Sequence, residues 1–140
     1  MRFMIIVKAT PDSEAGVMPE ERLLTAMADY HEQLAKAGVL LDGNGLHPSS
    51  KGWRIRYSDG RGQVVDGPFP ETKELVAGYT LIQVRSRDEA LEWTRRFPAP
   101  MGELKDAEIE VRQLFELEDF AQGDAVGRFR DMGVGEGARA

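Results

Sequence analysis

Phe3-Met4-Ile5-Ile6-Val7 is the stretch on which the reading of the fold turns. A strand points successive side chains to opposite faces. Phe3, Ile5 and Val7 therefore make one face apolar, and Met4 and Ile6 make the other apolar as well. Both faces have to be covered. In a chain of 140 residues helices can cover one of them, and the other then needs a second sheet layer or a partner subunit.

Working outward, Pro19 suits the first turn of a helix, with Glu20 and Glu21 near its positive end. Leu23, Met27, Tyr30, Leu34 and Ala37 recur at three- and four-residue spacing, and Gly38 is placed to stop the helix. Val39 to Leu46 is predicted as a strand in which Gly43 and Gly45 mark a bulge or a close backbone approach. Trp53 to Tyr57 and Gln63 to Val65 flank Ser58-Asp59-Gly60-Arg61-Gly62, the pattern of a hairpin. Gly78 to Val84 is the next strand. Ser86-Arg87-Asp88-Glu89 follows as a capping box, opening a helix that turns Ala90, Trp93, Thr94 and Phe97 inward and stops before Pro98 and Pro100. A last strand runs from Ile109 to Phe115, apolar on one face.

The order is β-α-β, an inserted hairpin, then β-α-β. Two such halves give an α+β, ferredoxin-like arrangement, an antiparallel sheet with both helices on one face. The bare face agrees with the doubly apolar first strand and predicts a homodimer closed sheet against sheet. Residues 1–120 form the domain in this reading. Residues 121–140 are expected to be a flexible C-terminal arm, since five glycines lie between Gly123 and Ala140 with little periodicity.

Composition narrows the function classes. Eighteen basic against twenty-four acidic residues leave a net charge of −6, which repels a phosphate backbone, and the arginines at 85, 87, 95 and 96 alternate with acids instead of forming a basic stripe. Direct nucleic-acid binding is not expected. There is no cysteine, which excludes disulfides, thiol nucleophiles and thiolate metal sites. Two histidines sixteen residues apart do not make a metal-binding spacing, so neither a metal nor a cofactor is expected. The first apolar run is too short for a signal-peptide core or a bilayer span, which predicts a cytoplasmic protein without membrane partners.

The most distinctive stretch is Asp66-Gly67-Pro68-Phe69-Pro70-Glu71-Thr72-Lys73-Glu74. Asp-Gly-Pro builds a tight turn, Phe69 can plug the core and Pro70 stiffens the loop, all of which is compatible with scaffolding. Its charges and hydroxyl also suit ligand contact, and Asp66, Glu71, Thr72 and Lys73 are the candidate ligand-binding residues. His31 is the candidate proton-transfer residue. It lies about 40° around the helix from Met27, on the flank of the apolar stripe, and imidazole is the side chain suited to acid-base work near neutrality. His47, before Pro48, reads as a loop residue.

This nonapeptide resembles the DGPFAETKE signature of the YCII-related family, with Pro70 where alanine is common. Ala37-Gly38-Val39-Leu40-Leu41, Gly45-Leu46-His47-Pro48-Ser49 and Glu110-Val111-Arg112-Gln113 resemble the family pattern too. The resemblance implies a ferredoxin-like subunit in a dimeric α+β barrel, with a small-molecule cleft between sheet and helices. It also implies, as an alternative, a regulatory protein associated with an extracytoplasmic-function sigma factor. Related YciI-type members are thought to carry a His–Asp pair, and the position of that histidine is Met27 here.

Overall fold

The computed structural model describes residues 1–137. It is a mixed α+β structure. Its elements run β1 (Arg2–Lys8), α1 (Pro11–Glu14), α2 (Glu21–Lys36), β2 (Leu40–Gly45), β3 (Trp53–Ser58), β4 (Arg61–Asp66), β5 (Val76–Gln83), α3 (Arg87–Arg95), β6 (Ile109–Gln113) and α4 (Asp124–Asp131). Four strands form one antiparallel sheet in the order β2-β5-β1-β6, and β3 pairs with β4 as a separate two-stranded sheet.

The register settles which side chains share a face. Phe3 pairs with Ile82 and Ile5 with Thr80, so the odd residues of β1 and the even residues of β5 point the same way. They meet Tyr30 and Leu34 of α2 and Ala90 of α3, with Trp93, Phe97 and Ile109 packed around them. Ile5, Leu34 and Ile82 are fully buried. Both long helices therefore lie on one face, and fully burying each aliphatic side chain contributes about 1.5–3 kcal/mol. Tyr30 ties the layers together: its hydroxyl donates to the Trp93 carbonyl at 2.8 Å, and its ring meets Phe97 edge-on at 5.2 Å. Burial pushes the Tyr30 phenol up to about 12, against a smaller opposing pull from Arg96.

Local signals explain the element ends. Gly38 takes φ +75, its N–H bonds to Ala35 and the Val39 N–H to Leu34, so α2 closes in the left-handed cap that glycine permits. Ser86 caps α3 by accepting from the Glu89 N–H. The return arm of the expected capping box goes one residue further back, because Glu89 accepts from the Arg85 N–H at 2.9 Å. Asp59 and Gly60 both have positive φ, the two-residue turn that matches strand twist in a hairpin. The bulge expected from the glycines of β2 falls between Leu40 and Asp42, ahead of them.

Three expectations are revised. A short helix, α1, follows β1, opened by Thr10 and Ser13 capping each other. Phe69 does not plug the core. Its half-buried ring lies under Arg54, whose guanidinium carbon is 3.7 Å from the ring centroid. The glycine-rich C-terminal segment contains α4 with Val126 buried, and the chain beyond it returns to place Gly135 against Leu117. Residues 138–140 of the expected arm lie outside the described residues.

Candidate functional site

A cleft of about 990 Å³ opens between the helix-facing side of the sheet and α2. Its floor is the end of the sheet where Gly45 faces Gly78 and Gly43 faces Thr80. Gly43, Gly45 and Gly78 fall on the face that carries Leu40 and Ile82, so three successive floor positions lack side chains. This absence makes the space. A Cβ on Gly45 would meet nothing within 4 Å, whereas one on Gly78 would lie 3.0 Å from the Asn44 carbonyl oxygen. Leu23 and Met27 form the helical wall, and the turn from Phe97 to Met101, broken by Pro98 and Pro100, forms another. The walls are chiefly apolar.

His31 stands between wall and floor. Its Nδ1 is 2.7 Å from the Met27 carbonyl oxygen and its Nε2 is 2.9 Å from Thr80 Oγ1. A carbonyl can only accept, so Nδ1 carries the proton, and in the neutral ring Nε2 is left as the acceptor. Thr80 is buried, and its hydroxyl can donate to the neutral ring or accept from the charged one. The pair therefore accommodates both protonation states without moving either backbone. Met27 lines the cleft and touches His31 through its carbonyl.

His47 also lines the cleft, from the exposed loop after β2. Asp66, Glu71, Thr72 and Lys73 are not among the lining residues. Asp66 pairs with Trp53 at the end of the hairpin, and Glu71 lies 3.7 Å from Arg54. Thr72 and Lys73 begin a short turn of helix ending at Glu74.

The signature loop is nonetheless joined to the cleft. Gly67 donates to the Gly52 carbonyl at 3.0 Å, and a Cβ on Gly67 would overlap the Ser49 carbonyl oxygen, so only glycine fits. The Phe69 N–H donates to Ser49 Oγ at 3.0 Å. Ser49 in turn donates both its hydroxyl and its N–H to the Glu14 carboxylate, the latter at 2.8 Å. Glu14 ends α1, whose Asp12 and Ser13 line the cleft, and His47 and Pro48 line it just before Ser49. The loop braces two walls of the cleft from behind.

Sequence reasoning named His31, which lies at the cleft, but not Thr80, α1 or the glycine floor. The floor was legible in principle: Gly43 and Gly45 are two apart in a strand, hence on one face. Thr80 gives no local signal, since its role depends on which strand faces α2. Among the described residues no group of three or more His, Cys, Asp or Glu side chains could hold a metal, and no helix is long and apolar enough to cross a membrane.

Comparison with known proteins identifies the family. The family model described as "YCII-related domain" matches residues 1–118. An uncharacterized protein of Rhizobium meliloti (strain 1021) is 37% identical over 76 residues, which cover 54% of this chain and 61% of that protein, so the match spans less than two thirds of that relative's length. Among solved structures, 5-chloro-2-hydroxyhydroquinone dehydrochlorinase (TftG) from Burkholderia phenoliruptrix AC1100, in complex with 2,5-dihydroxybenzoquinone, is similar with a TM-score of 0.46 and 15% identity, covering 83% of this chain and 95% of that one. At that score and identity nothing about this chain's chemistry follows from the likeness.

Proposed function

The chain belongs to the YCII-related family, and from that premise we propose that it is a cytoplasmic, dimeric small-molecule-binding protein whose cleft uses His31 for acid-base chemistry. The strand order β2-β5-β1-β6, with α2 and α3 on one face, supports a ferredoxin-like subunit. The doubly apolar β1 supports a dimer.

The observation that carries the reading is the His31 arrangement. A histidine with one ring nitrogen tied to a carbonyl is fixed in tautomer and orientation, and its other nitrogen is held at the edge of an apolar space of ligand size. Such a nitrogen takes a proton from an acidic group of a bound molecule and returns it to a neighbouring atom, while the Met27 carbonyl keeps accepting from Nδ1–H. Thr80 holds Nε2 until the ligand displaces that bond. The chiefly apolar walls favour a largely apolar ligand with one polar, proton-bearing end.

A thermal-shift screen of small organic acids, phenols and carbonyl compounds tests this. A ligand at about a hundred times its Kd should add about 2.7 kcal/mol of stability. Gly45→Leu, which fills the floor without meeting neighbouring atoms at its Cβ, should abolish the shift and keep the fold. His31→Gln should keep most of the binding and remove proton exchange at the ligand. A screen without stabilising compounds, or a full shift retained in Gly45→Leu, would overturn the reading in favour of an interaction protein.

A further inference from the structure

The β3–β4 hairpin stands outside the four-stranded sheet. Register places Trp53, Ile55 and Tyr57 on one face of it, with Val64 opposite Ile55 on the same face. All four are exposed, at 65%, 43%, 79% and 61%. Arg54, Arg56 and Arg61 project from the other face, where Arg54 stacks on Phe69 and pairs with Glu71. The ribbon is thus tied to the body through its arginine face and turns its apolar face outward. A two-stranded ribbon is marginal by itself in water. The exposed apolar area, on the order of 500 Å² for two aromatic and two branched side chains, is at the upper end of what a monomer shows.

We propose that the Trp53–Ile55–Tyr57–Val64 face docks on a second copy of this chain, which deepens and rests on the dimer reading above. Two observations select that occupant. The first is area. On the open face of the large sheet, register gathers Met4, Ile6 and Leu81, already half-buried, between Glu110 and Arg112 on one side and the hydrogen-bonded Asp42, Asn44 and Tyr79 on the other. Three half-buried side chains fall far short of the roughly 800 Å² per partner of a stable interface. The ribbon face, about 500 Å² of exposed apolar area, supplies most of that requirement by itself.

The second observation is charge. Lys51, Arg54, Arg56 and Arg61 against Asp59 and Asp66 leave the hairpin net cationic on a chain of net charge −6. Another copy is therefore an acidic body that attracts the ribbon, while the apolar face provides the contact. A nucleic acid fits less well, because stacking aromatics and phosphate-binding cations need to share a face, and here they lie on opposite faces.

The test is light scattering at micromolar concentration on the wild type, on Trp53→Asp/Tyr57→Asp and on Ile6→Asp. Wild type should have twice the chain mass and the hairpin variant half of that, with unchanged circular dichroism. A hairpin variant that stays dimeric while Ile6→Asp becomes monomeric overturns this inference and leaves the dimer reading standing. A monomeric wild type overturns both. If the hairpin variant misfolds, Trp93→Phe leaves Trp53 as the single tryptophan, selectively excited, in an otherwise native ribbon. Its emission should then shift to the blue as concentration rises, and a red, concentration-independent emission refutes the docking.

Discussion

Ser49→Ala should destabilise the protein far more than its small size suggests. The hydroxyl donates to the Glu14 carboxylate and accepts the Phe69 N–H at 3.0 Å, so one oxygen joins α1 to the signature loop. Losing a hydrogen bond to a charged group costs about 1.5–3 kcal/mol, and leaving the Phe69 amide without its acceptor costs about 1–3 kcal/mol, less where water reaches it. The site is half-buried, so the combined cost should be about 2–4 kcal/mol. For a chain of this length that is a fall in melting temperature of roughly 6–15 °C. Urea denaturation with an unchanged slope measures it, with Lys73→Ala as control, which should stay within about 0.5 kcal/mol because Lys73 is exposed. If Ser49→Ala also falls within that margin, the loop does not brace the cleft. If Lys73→Ala costs several kcal/mol, the charges of the loop are buried partners instead.

Three further outcomes follow from the geometry. Gly67→Ala should cost about 1–3 kcal/mol or more by calorimetry, because its Cβ would overlap backbone atoms of Ser49 that cannot swing aside. Tyr30 has a folded pKa raised to about 12 from 10.0, so its contribution is fully present below pH 10 and is lost as pH rises through 12, at up to about 1.4 kcal/mol per pH unit; Tyr30→Phe should abolish that slope in urea titrations and cost about 1–3 kcal/mol by orphaning the Trp93 carbonyl. Deleting the chain from Gly123 should lower the melting temperature measurably, since it removes the buried Val126 and uncovers Leu117.

The large elements were legible because each rests on a local pattern. The alternation of Phe3 to Val7, the spacing from Leu23 to Ala37, the cap at Ser86 and the Asp59-Gly60 turn all depend on neighbours in sequence. The features that were missed depend on neighbours in space. Phe69 looked like a core residue because aromatics usually are. It found a cation instead, since Arg54 on the adjacent hairpin reaches it first. The C-terminal segment looked structureless because its glycines hide about two helical turns around Val126. The signature stretch looked like a site because it concentrates charge, and its ties to the rest of the fold run through backbone groups and the Ser49 hydroxyl, which composition does not reveal. His31 could be found because helix periodicity fixes its direction, while Thr80 could be found only after β5 was known to face α2.

The central claim is that His31 is held ready in one tautomer at the cleft, and a long-range proton–nitrogen NMR spectrum of the imidazole reads it directly. The account predicts that the neutral ring carries its proton on Nδ1, facing the Met27 carbonyl, and that a ligand from the screen shifts the Nε2 resonance while leaving Nδ1 in place. A ring protonated at Nε2 in its neutral form, or an Nε2 resonance indifferent to every stabilising ligand, would contradict it.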